Sequence, residues 1–276
     1  MEQRIIFFGS GYYVIPIVEK LLQHNLLLVV TTEIEGKFVN YLRSNNIPFV
    51  QSKLKAPEDI NKITELTPTL GILASYGAII PTAVIDLFPN GILNIHPSLL
   101  PKYKGPSPIQ YAILDGAKKT GITIIKLDDQ VDHGPIILQK ETSLDNTETL
   151  KNLTEKLFFS GAEMIQEIIQ KLENGLSLKK KVQASIQTEF TQKIKKQDGY
   201  IDFDNPPSSI ELDRKIRAFY PWPTVWFKTK LNGSEKLIKL LPHKMIQVEG
   251  KNPMNLKDFA NGYSQGEEIL QKLSFS

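Results

Sequence analysis

The sequence has no cysteine among its 276 residues, which excludes several kinds of chemistry. Disulfides, thiolate metal ligands and a cysteine nucleophile are impossible, and a reducing compartment is compatible with this composition. The histidines lack the ligand spacing of a zinc site, so we expect no metal. No apolar run reaches the roughly 20 residues that a membrane-spanning helix needs. We therefore expect a soluble, cytoplasmic protein that binds no membrane.

Several nucleotide and hydrolase motifs are also incomplete or missing. The stretch GSGYYV supplies Gly9 and Gly11 for the first two glycines of G-x-G-x-x-G, but Val14 occupies the third position. Without that glycine a helix cannot pack closely over a pyrophosphate, so we interpret the stretch as a tight strand–helix turn. The chain has no Walker motif and no G-x-S-x-G nucleophile elbow.

Charge is nearly balanced overall but unevenly distributed. The net charge is +3, yet residues 1–175 have 16 Lys and Arg against 19 Asp and Glu, whereas residues 176–276 have 17 against 11. A basic C-terminal part suggests a polyanionic partner, and an ordinary solvated surface is the alternative.

The first two-thirds of the chain alternates apolar strand patterns with helix patterns. This alternation predicts an α/β fold, a Rossmann-like, doubly wound, mostly parallel sheet. One of the last two strands is expected to run antiparallel, because only a short gap separates them. The predicted strands are Arg4–Gly9, Leu26–Thr32, Thr69–Gly77, Gly91–His96, Gly121–Asp128 and Gly134–Glu141. The predicted helices are Val14–Leu22, Phe38–Asn46, Pro57–Leu66, Pro81–Leu87 and Pro106–Leu114.

The remaining third predicts a second, smaller domain. A long amphipathic helix is predicted over about Thr147 to Glu173 and stops at Gly175. A polar, basic stretch follows, and then two β-rich runs joined at Asn232-Gly233, which is typical of a hairpin. We predict a catalytic domain over residues 1–178, a linker over 179–198 and a small β-rich domain, an abridged OB-like fold, over 199–276.

Three polar residues form a candidate catalytic group. Asn94 and His96 are two residues apart at a strand end, so both point to one side, at the end where open α/β sheets bind ligands. Asp132 lies in a loop between two later strands. An amide, an imidazole and a carboxylate together suit attack on a carbonyl, by oxyanion stabilisation and proton transfer. Each residue alone is more simply explained as a capping or turn residue.

The motifs around these residues resemble a known family. NIHPSLLPKYKGPSPIQ together with GITIIKLDDQVDHGPIIL resembles the folate-dependent formyltransferases, whose signature is N-x-H-x-S-L-L-P followed by a distal Asp-x-Gly. The resemblance implies 10-formyltetrahydrofolate as co-substrate and Asn94, His96 and Asp132 as catalytic residues. It also implies folate binding by two segments, one of Ser98, Leu99, Leu100 and Pro101 and one of Ile72, Leu73, Ala74, Tyr76 and Gly77.

Three stretches favour the branch of this family that formylates initiator methionyl-tRNA. They are GSGYYVIPIVEKLL, RKIRAFYPWPTVWF and VEGKNPMNLKDFANGY. Within this branch the resemblance implies substrate binding by Ser10 and by Tyr13, which falls where an aromatic residue meets the methionyl side chain; core packing is the alternative for Tyr13. Lysines of the linker, including Lys179, Lys180 and Lys181, are candidates to meet phosphates. We expect a monomer.

Two departures from that branch leave alternatives open. The basic loop that the branch inserts after the second strand is missing, and only about 20 residues separate Phe227 from Val248, where a full barrel needs about twice that number. The first alternative is N-formylation of a nucleotide-linked amino sugar. The second is a folate- or RNA-binding protein without turnover, although all three polar residues of the proposed site are present.

Overall fold

The computed structural model describes residues 1–184 and 190–275, which divide into two compact units. The first unit comprises Met1–Gly105, Thr120–Ser143 and Thr154–Phe190, and the second unit comprises Pro106–Lys119, Leu144–Leu153 and Thr191–Ser276. The domain boundaries at residues 178 and 198 stay predictions. Residues 185–189 of the predicted linker lie outside the described residues.

A seven-stranded sheet is the centre of the first unit. Its strands are β1 (Arg4–Gly9), β2 (Asn25–Thr31), β3 (Phe49–Gln51), β4 (Leu70–Ala74), β5 (Ile92–His96), β6 (Lys119–Lys126) and β7 (Ile136–Ser143). Their spatial order is β3-β2-β1-β4-β5-β6-β7. Neighbours from β3 to β5 pair in parallel, and β6 runs antiparallel to β5. The predicted Rossmann-like, mostly parallel sheet with an antiparallel strand near its end is confirmed.

The strand composition explains why this sheet lies inside. In β1, Ile5, Ile6, Phe7 and Phe8 are all fully buried, because both faces of the strand are covered and apolar side chains gain by leaving water on either side. The chain order reverses between β1 and β4, which lie side by side. Open α/β sheets bind ligands at such a switch point, beyond the carboxyl ends of the strands.

Six helices follow these strands along the chain. They are α1 (Ile15–Leu21), α2 (Lys37–Ser44), α3 (Pro57–Glu65), α4 (Thr82–Ile85), α5 (Pro108–Leu114) and α6 (Leu150–Glu173). Helix α5 begins at Pro108 instead of the predicted Pro106, with Ser107 as its N-cap residue. Helix α6 begins three residues later than predicted, where Thr149 and Asn152 exchange side-chain-to-backbone hydrogen bonds of 2.9 and 3.4 Å that cap its first turn.

The second unit contains a four-stranded antiparallel sheet with helices. Its further elements are α7 (Ser209–Phe219), β8 (Val225–Leu231), β9 (Ser234–Leu241), β10 (Met245–Val248), β11 (Met254–Asn255), α8 (Leu256–Gly262) and α9 (Gly266–Lys272). The spatial order is β11-β10-β9-β8. Strands β8 and β9 form the predicted hairpin, and its turn residues Asn232 and Gly233 have φ of 49° and 82°, as a type I′ turn requires. The predicted small β-rich part is confirmed.

Within the described residues, no helix combines the length and the apolar character that crossing a membrane would require.

Candidate active site

Strand β5 presents two buried polar side chains on one face of the sheet. Asn94 and His96 are two residues apart, and their exposed fractions are only 9% and 5%. Buried polar groups are almost always hydrogen-bonded. The partners of these two side chains therefore determine what chemistry they can perform.

Asp132 is the side chain that joins them. It lies in the loop between β6 and β7, and its Oδ1 accepts a hydrogen bond of 3.3 Å from the Asn94 Nδ2 and lies 3.4 Å from the His96 Nδ1. Its Oδ2 accepts a 2.8 Å hydrogen bond from the backbone N–H of Gly105. Asp132 is only 8% exposed, and its carboxylate faces three nitrogen atoms. The structure brings together all three residues that the sequence selected.

The backbone that holds Asp132 is strained and supported from outside the loop. Asp132 has φ of 50°, in the left-handed region that residues with a Cβ rarely adopt and that is common at functional sites. The side-chain nitrogen of Gln183 donates 2.9 Å hydrogen bonds to the carbonyl oxygens of Asp132 and Gly134. A Cβ at Gly134 would clash with the carbonyl oxygen of Lys126. Gln183 was not predicted from the sequence, because no local pattern connects it with a loop some 50 residues earlier.

The ring of His96 has a defined orientation. Its Nε2 lies 3.0 Å from the carbonyl oxygen of Tyr103, and since a carbonyl can only accept, Nε2 donates. Nδ1 is then the nitrogen that faces the Asp132 carboxylate. A hydrogen on Nδ1 makes this contact with the carboxylate attractive. The Nδ1 side of the ring is the side that can change partners during a reaction, because its contact is the longer one.

The loop after β5 is fixed by hydrogen bonds from β6 and β7. The hydroxyl of Ser98 is fully buried and donates to the carbonyl oxygen of Lys102 at 2.6 Å. The Thr123 hydroxyl donates to the carbonyl oxygen of Ser98 at 2.6 Å and accepts the N–H of Leu100 at 3.0 Å. Gln139 donates to the carbonyl oxygen of Leu100 and to the Thr123 hydroxyl. The sequence analysis missed Thr123 and Gln139, although Thr123 is the direct register partner of His96.

We expect Thr123→Val to destabilise the protein by about 1–3 kcal/mol, because it leaves buried backbone groups of this loop without their partner. The matched control is Thr120→Val in the same strand. Thr120 is equally buried, and its hydroxyl has no hydrogen-bond partner among the residues that the structure describes. The control is therefore expected to keep or raise the free energy of unfolding. Urea unfolding measures both, and an equal loss in the two variants would contradict the role of Thr123.

A second polar group lies at the switch point of the sheet. The hydroxyl of Ser10 is within 2.9 Å of the Thr31 hydroxyl and 3.1 Å of the Thr32 hydroxyl. The Tyr13 hydroxyl lies 2.8 Å from the hydroxyl of Ser75, which directly follows β4 and has φ of 52°. The ring of Tyr13 also packs on Phe158, with 4.9 Å between the ring centroids. Substrate binding by Ser10 and Tyr13 stays a prediction.

The predicted folate segment at the end of β4 offers backbone groups more than side chains. Ile72 and Ala74 are fully buried in the sheet, and Leu73 is partly buried. The Tyr76 hydroxyl donates to the carbonyl oxygen of Ser52 at 2.8 Å, and burial raises the pKa of Tyr76 well above its ordinary value. Gly77 has φ of 77°, and a Cβ added there would lie 3.7 Å from the Thr32 hydroxyl, an ordinary contact distance. Folate contacts here would therefore involve the backbone and the partly buried side chain of Leu73; folate binding stays a prediction for both segments.

Two pairs of ionisable side chains lie nearer the surface of the first unit than the catalytic cluster. Burial, followed by a hydrogen bond to Glu155, raises the pKa of Tyr12 to about 12, so its hydroxyl stays neutral and donates to that carboxylate at 2.9 Å. His133, next to Asp132, is half exposed and pairs with Asp128 at 2.7 Å, away from the buried carboxylate. In the part of the chain that the structure covers, no group of three or more His, Asp or Glu side chains could hold a metal ion.

Comparison with known proteins matches both parts of the chain to one family. The profile described as "Formyl transferase" matches residues 3–169, and the profile "Formyl transferase, C-terminal domain" matches residues 193–245. The curated methionyl-tRNA formyltransferase of Thermodesulfovibrio yellowstonii is 33% identical, over 95% of this chain and 96% of its own length.

Solved structures share the fold at lower identity. A sugar N-formyltransferase from Shewanella has a TM-score of 0.67 at 17% identity, covering 86% of this chain and 96% of its own. HypX from Aquifex aeolicus, solved with tetrahydrofolic acid, has a TM-score of 0.65 at 18% identity, covering 87% of this chain and 38% of its own. With a family profile over more than half of its residues and a relative of 33% identity along nearly all of it, the chain belongs to the formyl transferase family.

Proposed function

We propose that this formyltransferase transfers the formyl group of 10-formyltetrahydrofolate to the amino group of initiator methionyl-tRNA. The observation that supports formyl transfer most directly is the convergence of Asn94, His96 and Asp132 in one buried cluster. The choice of acceptor rests on the relative named methionyl-tRNA formyltransferase, which is matched over nearly its whole length.

The reaction needs an unprotonated amine, whose lone pair attacks the formyl carbon. A carbon–nitrogen bond forms and the formyl oxygen becomes an oxyanion. The intermediate then collapses, the bond to N10 of the folate breaks, and N10 takes up a proton. The products are the N-formylated acceptor and tetrahydrofolate. The protein must therefore stabilise one negative oxygen and move one proton from the amine towards N10.

Asn94 and His96 are the proposed oxyanion donors. The Asn94 amide nitrogen has two hydrogens, and only one is needed for the bond to Asp132, so the other can meet the formyl oxygen. The Nδ1–H of His96 has only the 3.4 Å contact with Asp132 and can turn its hydrogen bond to the oxyanion as charge develops. Such preorganised donors are typically worth about 2.7–4 kcal/mol each in the barrier.

Asp132 is the proposed base. A carboxylate has about four lone-pair positions, and Asn94 and Gly105 occupy two of them at hydrogen-bonding distance. The remaining positions can accept the proton that the amine loses on attack. Asp132 Oδ1 also lies 3.4 Å from the His96 Nδ1, so the proposed base and the proposed oxyanion donor are side by side.

The first segment predicted to bind the folate includes the end of β4, next to β5 in the sheet, and the residues after it, and the second segment follows β5 itself. Both therefore lie beside the catalytic cluster, where the formyl end of the folate must be placed. The second segment is held rigidly by Thr123 and Gln139, which suits a surface that positions a co-substrate.

A nucleotide-linked amino sugar is the second candidate acceptor. The observation that favours it is the short connection between β2 and α2, only residues 32–36, which holds no basic insertion. Glu33 in this connection accepts the backbone N–H of Gly11 at 2.8 Å, so a carboxylate lies where an RNA-binding loop would be basic. The fold of the Shewanella sugar enzyme is compatible with this alternative.

The test measures transfer of labelled formyl from 10-formyltetrahydrofolate to initiator methionyl-tRNA, elongator methionyl-tRNA and a panel of nucleotide-linked amino sugars. We expect transfer to the initiator tRNA, with a KM that rises steeply with salt because phosphate contacts release counterions. Transfer to a sugar alone would reject the tRNA acceptor and keep the catalytic proposal. Folate binding without transfer to any acceptor would reject both.

A further inference from the structure

Two adjacent cavities in the second unit form a groove that is lined by none of the residues assigned to the catalytic cluster or to the predicted folate segments. The first has a volume of about 400 Å³ and the second about 380 Å³. They share four lining residues, Asn146, Ser209, Asp213 and Arg217. We call this pair of cavities the basic groove. Each volume lies within the range of about 300–1,000 Å³ that is typical of small-molecule sites.

The groove is rich in positive charge. Lys118, Arg214 and Arg217 line the second cavity, and Lys244 lines the first, against the single carboxylate of Asp213. Among the described residues, the side chains of Lys118 and Lys244 form no ion pair, so their charges are available to a ligand. Clustered cations with so little compensation attract an anion.

Arg217 gives the groove a buried charged wall. It is 8% exposed; its Nε donates to Asp213 at 2.8 Å and its Nη1 to the carbonyl oxygen of Glu148 at 2.9 Å. These bonds fix the guanidinium plane and leave further N–H groups unused. The side chain of Asp213 is 63% exposed, so water screens its compensation of the buried cation. A fixed, partly compensated guanidinium suits bidentate recognition of a phosphate.

Part of the lining of the first cavity is apolar. Leu241, Pro242 and Phe275 line it, and Asn146 and Thr147 add hydrogen-bonding groups. A flat ring with polar edges, such as a nucleobase, can bury its face on the apolar side chains and direct its edge to the amide and the hydroxyl. The charged wall and this apolar lining together therefore match a nucleotide better than a simple anion.

The turn beside this cavity is strained. Consecutive residues His243 and Lys244, between β9 and β10, have φ of 61° and 55°. Glycine, asparagine or aspartate is the usual choice at such positions, because a larger side chain is unfavourable there. The chain instead places an imidazole and an ammonium group at the cavity wall.

We propose that the basic groove binds a nucleotide, with its phosphate among Lys118, Arg214 and Arg217 and its base in the cavity lined by Phe275. The ligand is a free mononucleotide. This site is separate from the catalytic cluster in sequence and composition and does not depend on the proposed formyl acceptor.

The experiment is isothermal titration of the full chain with adenosine 5′-monophosphate, inorganic phosphate and a hexa-adenylate RNA. Lys118→Glu and Lys244→Glu, each a change at an exposed lysine, should weaken nucleotide binding at least tenfold. The matched control is Lys257→Glu, an exposed lysine of the same unit outside the groove, which should leave the affinity within twofold. Thermal unfolding verifies that all three variants fold.

The possible outcomes are distinct. Loss of mononucleotide binding in the two groove variants supports the site with a free nucleotide as ligand. Binding of the RNA alone, with a shallower salt dependence in the groove variants, would overturn the proposal, because the groove would then bind a polynucleotide and not a free nucleotide. The proposal is overturned if no probe binds, if Lys257→Glu weakens binding as much as the groove variants, or if inorganic phosphate binds as tightly as the nucleotide. Asp132→Asn should bind the nucleotide normally, so failure of the catalytic proposal remains a separate result.

Discussion

Asp132→Asn is expected to lower kcat for formyl transfer by about 10²–10⁴-fold, the usual contribution of a positioned general base. The exchange is nearly isosteric. The amide oxygen of the new side chain can still accept the N–H of Gly105, so the loop should keep its place. The amide nitrogen would then face the Asn94 amide and the His96 ring, and donors would meet donors. The substitution therefore removes the proposed base and also the acceptor that faces the His96 ring.

Asp128→Asn is the matched control for this prediction. Asp128 lies close to Asp132 along the chain, but its carboxylate is partly exposed and pairs with His133 at 2.7 Å. We expect kcat to stay within about twofold, because an exposed pair of this kind contributes little. Equal losses in the two variants would mean that the loop as a whole, and not the buried carboxylate, determines the rate. An Asp132→Asn enzyme of full activity would refute the assignment of the base.

Local rules predicted the parts of this molecule that depend on neighbouring residues in the chain. The period of two in a strand placed Asn94 and His96 on one face, and Asn232-Gly233 predicted a hairpin that the structure contains. The alternation of strand and helix patterns predicted the mostly parallel sheet. Its strands are continuous apolar runs, which can be buried only between two layers of helices. None of these inferences needs a contact between distant segments.

The features that the sequence did not predict depend on distant contacts. Helix α5 could begin at Pro106 or Pro108 by local rules, since neither proline needs a hydrogen-bond partner for its nitrogen. The structure begins it at Pro108, and the N–H of the N-cap residue Ser107 is bound by the Thr191 hydroxyl, 84 residues away. Gln183 likewise reaches Asp132 across 51 residues. Such partners depend on the folded arrangement and leave no periodic pattern in the sequence.

Two substitutions of His96 are expected to distinguish the roles of its two ring nitrogens. In His96→Asn the amide nitrogen occupies nearly the position of Nδ1, and in His96→Gln it occupies nearly that of Nε2. Both variants should lower kcat, and His96→Gln should lower it by about 10²–10³-fold, because it removes the proposed oxyanion donor at Nδ1. If the Nδ1 side faces the reacting formyl group, the asparagine variant should retain roughly tenfold more activity, the value of about one charge-assisted hydrogen bond.

The stability of the same two variants is expected to follow the opposite order. His96→Gln can keep the hydrogen bond to the carbonyl oxygen of Tyr103, whereas His96→Asn is too short to reach it. The asparagine variant should therefore be less stable, by about 1–3 kcal/mol for the lost buried bond. Single-turnover rates measure the order of activity, and urea unfolding measures the order of stability. A variant that is the more active and also the less stable cannot owe its activity to a better-preserved fold. A more active glutamine variant would instead assign the reaction to Nε2, and the oxyanion would then have to displace the Tyr103 carbonyl from its bond.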